Sequence, residues 1–339
     1  MKERVKWLDF GKGFTIFLVV LGHVLATLYS HNLYLNYKEN LVIVSDLIFV
    51  IIMPIFFALS GFLFKGPQNI SDFMQMLRKK AANLLIPYIV FSFIYVLSEH
   101  LSNSIQNQVK WSSLLYIGIK PIGYLWFLYS LFFIFIIIGF VYLIKVDERI
   151  QIIIYLILFL VSQFFKLPVG INSICNWIFF FYLGIIYRKN AIFRKKFSFY
   201  LFLCVFVISI FVNFKIQGIY VNYNSPSLIN FIPKFCSTFL FLDVFFKLPR
   251  TSIYKYFEKY GKYSLIIYLV HLPVISAIRV IMFHFFVPNI ILGILALLLA
   301  GWYSSVLVIV ISKYCSAIDF IFKPYIYLHN FFKGKQEKL

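Results

Sequence analysis

Charge is what this 339-residue chain has least of: Asp, Glu, Lys and Arg together make up 13%, against 62% hydrophobic residues. A soluble domain is about 25% charged and about half apolar. With so few charges the chain cannot cover a water-facing surface, and with so many apolar groups it cannot remain unfolded. Acidic residues are the scarcer sign, 12 against 32 basic, for a net charge of +20. Excess base often marks a nucleic-acid binder. Here the cations stand between apolar runs of membrane length, so no nucleic acid is expected and membrane lipid is. Cysteine is also sparse. Cys175, Cys204, Cys236 and Cys315 lie in or beside apolar runs, with no CxxC and no histidine at ligand spacing. Buried reduced thiols are expected, with no disulfide frame and no metal site. No repeat at a fixed period appears, and no small-residue cleavage pattern follows the first apolar run, which reads as a retained span.

What the chain has is helix-length hydrophobic sequence, with a mean hydropathy of +0.89. Crossing a bilayer core takes about 20 apolar helical residues. Ten stretches qualify, near 14–30, 41–64, 84–97, 123–144, 150–165, 173–187, 198–214, 228–246, 264–286 and 290–311. The third and sixth are short. The ten-residue alternation of a barrel strand is missing. The expected fold is an all-α integral membrane protein of about ten transmembrane helices, forming a single domain over 1–339. With the N-terminus inside, only Lys38, Lys110, Lys120, Lys166, Lys215 and Lys234 fall outside, while Lys12 and Arg279 fall at or within spans. That asymmetry obeys the positive-inside rule and puts both termini in the cytoplasm. Outer loops are expected over 98–122 and 215–227, the latter with Asn222, Tyr223, Asn224 and Ser225.

An ionisable group inside a span is costly and so is a candidate for function. The first span has three. Lys12 and His23, eleven positions apart, lie within about 20° of each other on a helix and about 16 Å apart along it. Asp9 precedes Lys12 by one turn on that face. The face leads from the inner rim to mid-depth, where an imidazole can accept and return a proton near neutral pH. The simpler account has Lys12 snorkelling as an anchor and His23 bonding a neighbouring helix. His271 and Arg279 lie in the ninth span at i and i+8, on roughly one face, and a buried arginine needs a partner such as Asp46, Asp243 or a phosphate. Arg78, Lys79 and Lys80 precede the third span. They can bind phosphate or simply fix topology. Tyr124 and Trp126 open the fourth span, and Asn176 stands near the start of the sixth. Interfacial aromatics usually belong to the belt, with sugar stacking as the alternative.

These segments resemble the acyltransferase-3 family of ten-span bacterial membrane acyltransferases. That family has Arg-x10-His in its first span; here Lys12 takes the arginine place before His23. Asp9-x-x-Lys12-Gly13 with Leu21-Gly22-His23 is similar to the fucose 4-O-acetylase-like branch. Phe56 to Phe64 (FFALSGFLF), Arg78-Lys79-Lys80 before Ile86-Pro87-Tyr88, Leu125-Trp126-Phe127, Gly261-Lys262-Tyr263-Ser264 and Tyr268-Leu269-Val270-His271 follow in the family's order. Asn83 stands where the family often has another arginine. The resemblance implies transfer of an acyl group, usually acetyl from acetyl-CoA, to a hydroxyl of a cell-envelope or exported glycan or lipid-linked sugar, in the bacterial cytoplasmic membrane. It implies His23 as general base, Lys12 at the donor, and Asp9 orienting Lys12. Arg78, Lys79, Lys80, His271 and Arg279 are the donor-binding candidates, and Tyr124, Trp126 and Asn176 the acceptor-binding ones. No permanently bound cofactor is expected, since acyl-CoA is a substrate. A transporter or flippase of glycan intermediates is the alternative. It lacks the paired broken helices of such carriers.

Overall fold

A computed structural model describes residues 5–101, 109–218, 223 and 226–336. Part of the expected outer loop 98–122 lies outside them, as do Asn222, Asn224 and Ser225. The described chain is helical throughout, with no strand. Its helices are α1 (Lys6–Ser30), α2 (Lys38–Leu63), α3 (Ile70–Lys80), α4 (Ile86–Leu101), α5 (Trp126–Leu143), α6 (Glu148–Phe164), α7 (Val169–Lys189), α8 (Lys196–Gln217), α9 (Phe231–Lys247), α10 (Ser252–Gly261), α11 (Ser264–Phe285), α12 (Ile290–Tyr314), α13 (Ser316–Phe322) and α14 (Pro324–Gln336). A π-helical turn, Ala81–Leu85, runs α3 into α4.

Eight helical stretches are long and apolar enough to cross a membrane: α1, Leu35–Leu63, Ile70–His100, Gly123–Leu143, α7, α8, α11 and α12. The chain is therefore a multi-pass membrane protein. The other two stretches expected as spans form the helices α6 and α9, each 17 residues long. Two short helices lie where loops were expected. Strongly amphipathic α3 carries the Arg78 cluster in its last turn, where cations complement the helix dipole. α10 fills the basic stretch between the eighth and ninth expected spans.

The chain divides into two compact units. The first contains the chain up to Phe64 together with Trp177–Val306, and the second contains Lys65–Asn176 with the chain from Leu307. In the first, α1 packs against α2, α9, α10 and α11. Lipid offers no hydrophobic drive for helix association, so close backbone packing at small residues matters more. Two crossings show it. A Cβ on Gly61 of α2 would fall 1.8 Å from the Phe181 carbonyl oxygen of α7, and one on Gly184 of α7 would fall 1.9 Å from that of Ala58. Where α1 meets α10, a Cβ on Gly13 would stand 1.9 Å from the Phe257 oxygen. The C-terminal end of α2 is closed by Arg188, whose guanidinium donates to the carbonyls of Phe62 (2.8 Å) and Phe64. α8 is peripheral, with Phe197, Tyr200, Val207, Ile208 and Phe211 exposed on it. That corrects one expectation. Cys175 and Cys236 are buried, but Cys204, on α8, is exposed.

In the second unit, polar side chains tie helices together. Ser130 of α5 and Ser173 of α7 share a hydroxyl hydrogen bond of 2.7 Å. The Tyr129 phenol donates to the Gly118 carbonyl at 3.0 Å. In the π turn, the Asn83 side chain accepts from the Tyr325 N–H at 3.3 Å. The position where an arginine is usual therefore caps the start of α14.

Candidate functional site

The first unit assembles the candidate site around α1. Asp9, at 9% exposure, is buried beside the α10 crossing, within electrostatic reach of Tyr254. Lys12 is half-buried one turn on. Further into the span, His23 is half-buried and its ring stands edge-on to Phe49 of α2, centroids 5.7 Å apart. Its other neighbour is His271 of α11, with ring centroids 5.3 Å apart. Spacing along the sequence could not have joined these two residues.

His271 is fully buried. Its Nδ1 lies 2.9 Å from the Ile267 carbonyl. A carbonyl only accepts, so Nδ1 carries the hydrogen, and in the neutral ring Nε2 keeps the lone pair. A hydrogen bond that fixes one nitrogen fixes the tautomer and turns the other into a basic group. The site thus contains two imidazoles inside the membrane, one of them locked in orientation. That arrangement can accept and return a proton where water is scarce.

Arg279 does not join them. It lies toward the other end of α11, within electrostatic reach of His31, and its Nε has no hydrogen-bond partner among the described residues. The carboxylates expected to answer it are engaged elsewhere. Asp243 pairs with Lys247 at 2.7 Å. Asp46 accepts from the Tyr223 backbone N–H and feels the charge of Lys234.

Lys234 is the largest surprise of the site. Counting charges places it in an outer loop; it is instead on α9 and fully buried. Its ammonium donates to the carbonyls of Phe49 (3.1 Å) and Tyr223 (2.5 Å) and lies 5.5 Å over the Trp177 ring. Tyr223, expected in an open outer loop, is fully buried too. The missed signal was in the sequence. Asp46 and Lys234 fall within the apolar runs 41–64 and 228–246, so each met the same criterion that drew attention to His23.

The remaining candidates lie in the second unit. Arg78 and Lys79 are exposed on the last turn of α3, with Lys79 5.9 Å over the Tyr325 ring. Lys80 turns inward, its ammonium 3.5 Å from the centre of the Phe135 ring, so the three cations do not form one exposed patch. Tyr124 is buried against Tyr95, centroids 6.0 Å apart, and Trp126 is half-buried, perpendicular to Phe127. The Asn176 side-chain oxygen accepts from Ser162 at 2.8 Å and Gln163 at 2.7 Å, joining α7 to α6.

Residues 5–313 match the family described as an acyltransferase domain, acyltransferase-3. The chain belongs to that family. A stretch of 135 residues is also 30% identical to nodulation protein NolL of Mesorhizobium japonicum, covering 38% of this chain and 34% of that protein. The chain thus spans about a third of the length of this relative. No solved structure matches. Membership in the acyltransferase-3 family covers α1 to α12 almost entirely, so His23, His271 and Lys234 all lie inside the matched region.

Proposed function

We propose that the protein is a membrane-embedded O-acyltransferase that moves an acyl group, acetyl first among the candidates, from acyl-CoA to a hydroxyl of a cell-envelope or exported glycan or lipid-linked sugar. The observation that carries this reading is the His23–His271 pair inside the membrane, in a chain of the acyltransferase-3 family. His23 takes the proton from the acceptor hydroxyl. The oxygen attacks the thioester carbonyl carbon, the C–S bond breaks, and the departing thiolate takes the proton back from the imidazolium. His271 supports the neighbouring ring through its fixed tautomer. Lys12 offsets negative charge developing on the donor, with Asp9 orienting it. Arg78 and Lys79, exposed on the last turn of α3, meet the phosphates of coenzyme A, and Lys80, turned inward, does not. Tyr124, Trp126 and Asn176 meet the acceptor. Arg279 serves the donor or acceptor charge.

The same reading takes α6 and α9 as two further, shorter spans. Ten spans then form a single acyltransferase domain with both termini in the cytoplasm, set in the bacterial cytoplasmic membrane. This suits a donor made in the cytoplasm and an acceptor at the outer face. The test uses protein in lipid nanodiscs or inverted vesicles, radiolabelled acetyl-CoA, and a panel of glycans and lipid-linked sugars. Label should enter a sugar with wild-type protein and fail to enter with His23→Ala. Movement of unlabelled glycan across the vesicle membrane, with no label incorporated, would overturn the reading in favour of a carrier.

A further inference from the structure

α2 carries Pro54 in its interior. The proline nitrogen has no hydrogen, so the Val50 carbonyl, four residues earlier, loses its helical donor. Inside a membrane there is no water to take that donor's place. α9 supplies one: the Ser237 hydroxyl lies 3.0 Å from the Val50 oxygen, sharing its single hydrogen with the Lys234 oxygen at 2.9 Å. One turn earlier on the same face of α9, Lys234 donates to the adjacent carbonyl, that of Phe49. Two side chains of α9 therefore hold two successive carbonyls at the proline break of α2. The buried ammonium is balanced by Asp46, itself bonded to the Tyr223 N–H. The break sits level with His23. The Phe49 ring is the one against His23, and a Cβ on Gly22 would stand 3.1 Å from Ile48 and 3.5 Å from Phe49. α1 and α2 meet there without slack, so a shift of α2 is passed to the imidazole.

We propose that Lys234 and Ser237 are positioning residues for acyl transfer: by fixing the Phe49 and Val50 carbonyls at the proline break, they set the Phe49 ring that seats His23. The inference rests on His23 being the base, as proposed above. Neither residue touches the reacting atoms; both act through Phe49. A purely structural role would lower the amount of folded protein and activity together. A positioning role lowers kcat in protein that is folded and still binds acyl-CoA.

The full chain in nanodiscs provides two readouts: CoA release, and the ring resonances of 15N-labelled histidine, with His23 assigned through His23→Asn. Ser237→Ala should lower kcat roughly tenfold at unchanged KM for acyl-CoA, and Lys234→Met roughly a hundredfold, the scale on which small misplacements act. Ser237→Thr, which keeps the hydroxyl, should recover most of the loss. Ser237→Ala combined with Phe49→Leu should be no slower than Phe49→Leu alone. The His23 resonance should shift in both α9 variants while those of His31 and His284 stay. If Lys234→Met fails to fold, Ser237→Ala carries the test, because it leaves the Lys234 and Asp46 charges in place. An unmoved His23 resonance, or rate losses that multiply in the double variant, would overturn the inference. If the resonance shifts but the wild-type protein transfers no acyl group, the proposed function fails and the seating of His23 stands. If transfer depends on His23 but neither kcat nor the resonance responds, the inference alone fails.

Discussion

The two units bury different kinds of polar group. In the first, Asp9, Asp46, Lys234, Asp243, Glu258 and His271 are all buried. In the second, the buried polar side chains among the described residues are neutral: Ser92, Ser130, Gln151, Asn176 and Ser312. Neutral groups at helix contacts serve as hydrogen-bonding glue, each worth about 1 kcal/mol in a membrane. Buried ions cost several kcal/mol each and persist only when they are paired or used. The cost is therefore concentrated in the unit that carries the imidazole pair, where the proposed function places the chemistry.

Substitutions can break or sharpen that contrast. The largest effect is expected at His23. His23→Ala should lower acyl transfer about 10²- to 10⁴-fold in folded protein, measured as labelled glycan formed per minute. Next comes the close crossing of α2 and α7 in the same unit. Gly61→Ala would drive a methyl group against the Phe181 backbone and should lower stability by about 1–3 kcal/mol or more, read by thermal unfolding in detergent. Trp126→Ala, in the second unit, should raise the acceptor KM roughly fivefold, about 1 kcal/mol, with kcat kept. The smallest effect is expected from Arg78→Gln with Lys79→Gln. Exposed ion pairs give about 0.2–1 kcal/mol, so KM for acyl-CoA should rise at most about fivefold at low salt and little at high salt. If this surface pair proved as costly to turnover as His23→Ala, the contrast between the units would fail.

The first span was largely legible, because a helix fixes its own periodicity: Asp9, Lys12 and His23 share a face by arithmetic alone. The family was legible from ordered motifs. Lys234 was not. Topology counting assumes that a cation near the end of an apolar run belongs to the loop, but this one is satisfied internally by two carbonyls, a tryptophan face and Asp46. The cluster at Arg78 to Lys80 read as one patch because neighbours in sequence look alike on paper. Successive helical residues point about 100° apart, which sends Lys80 onto Phe135 and leaves Arg78 and Lys79 exposed. α10 read as loop because its apolar face is only ten residues long, too short to register as a span.

By itself the sequence determined that this protein lives in a membrane as helices, that it belongs to the acyltransferase-3 family, and that one face of its first helix carries a cation and an imidazole. Composition and local period suffice for that, since each depends on residues near one another in the chain. Only the tertiary structure decided that His271 stands beside His23 and that Lys234 reaches the proline break in α2. Those pairings join residues 185 or more positions apart. They are set by how whole helices pack at their glycines and proline breaks, which no local pattern encodes.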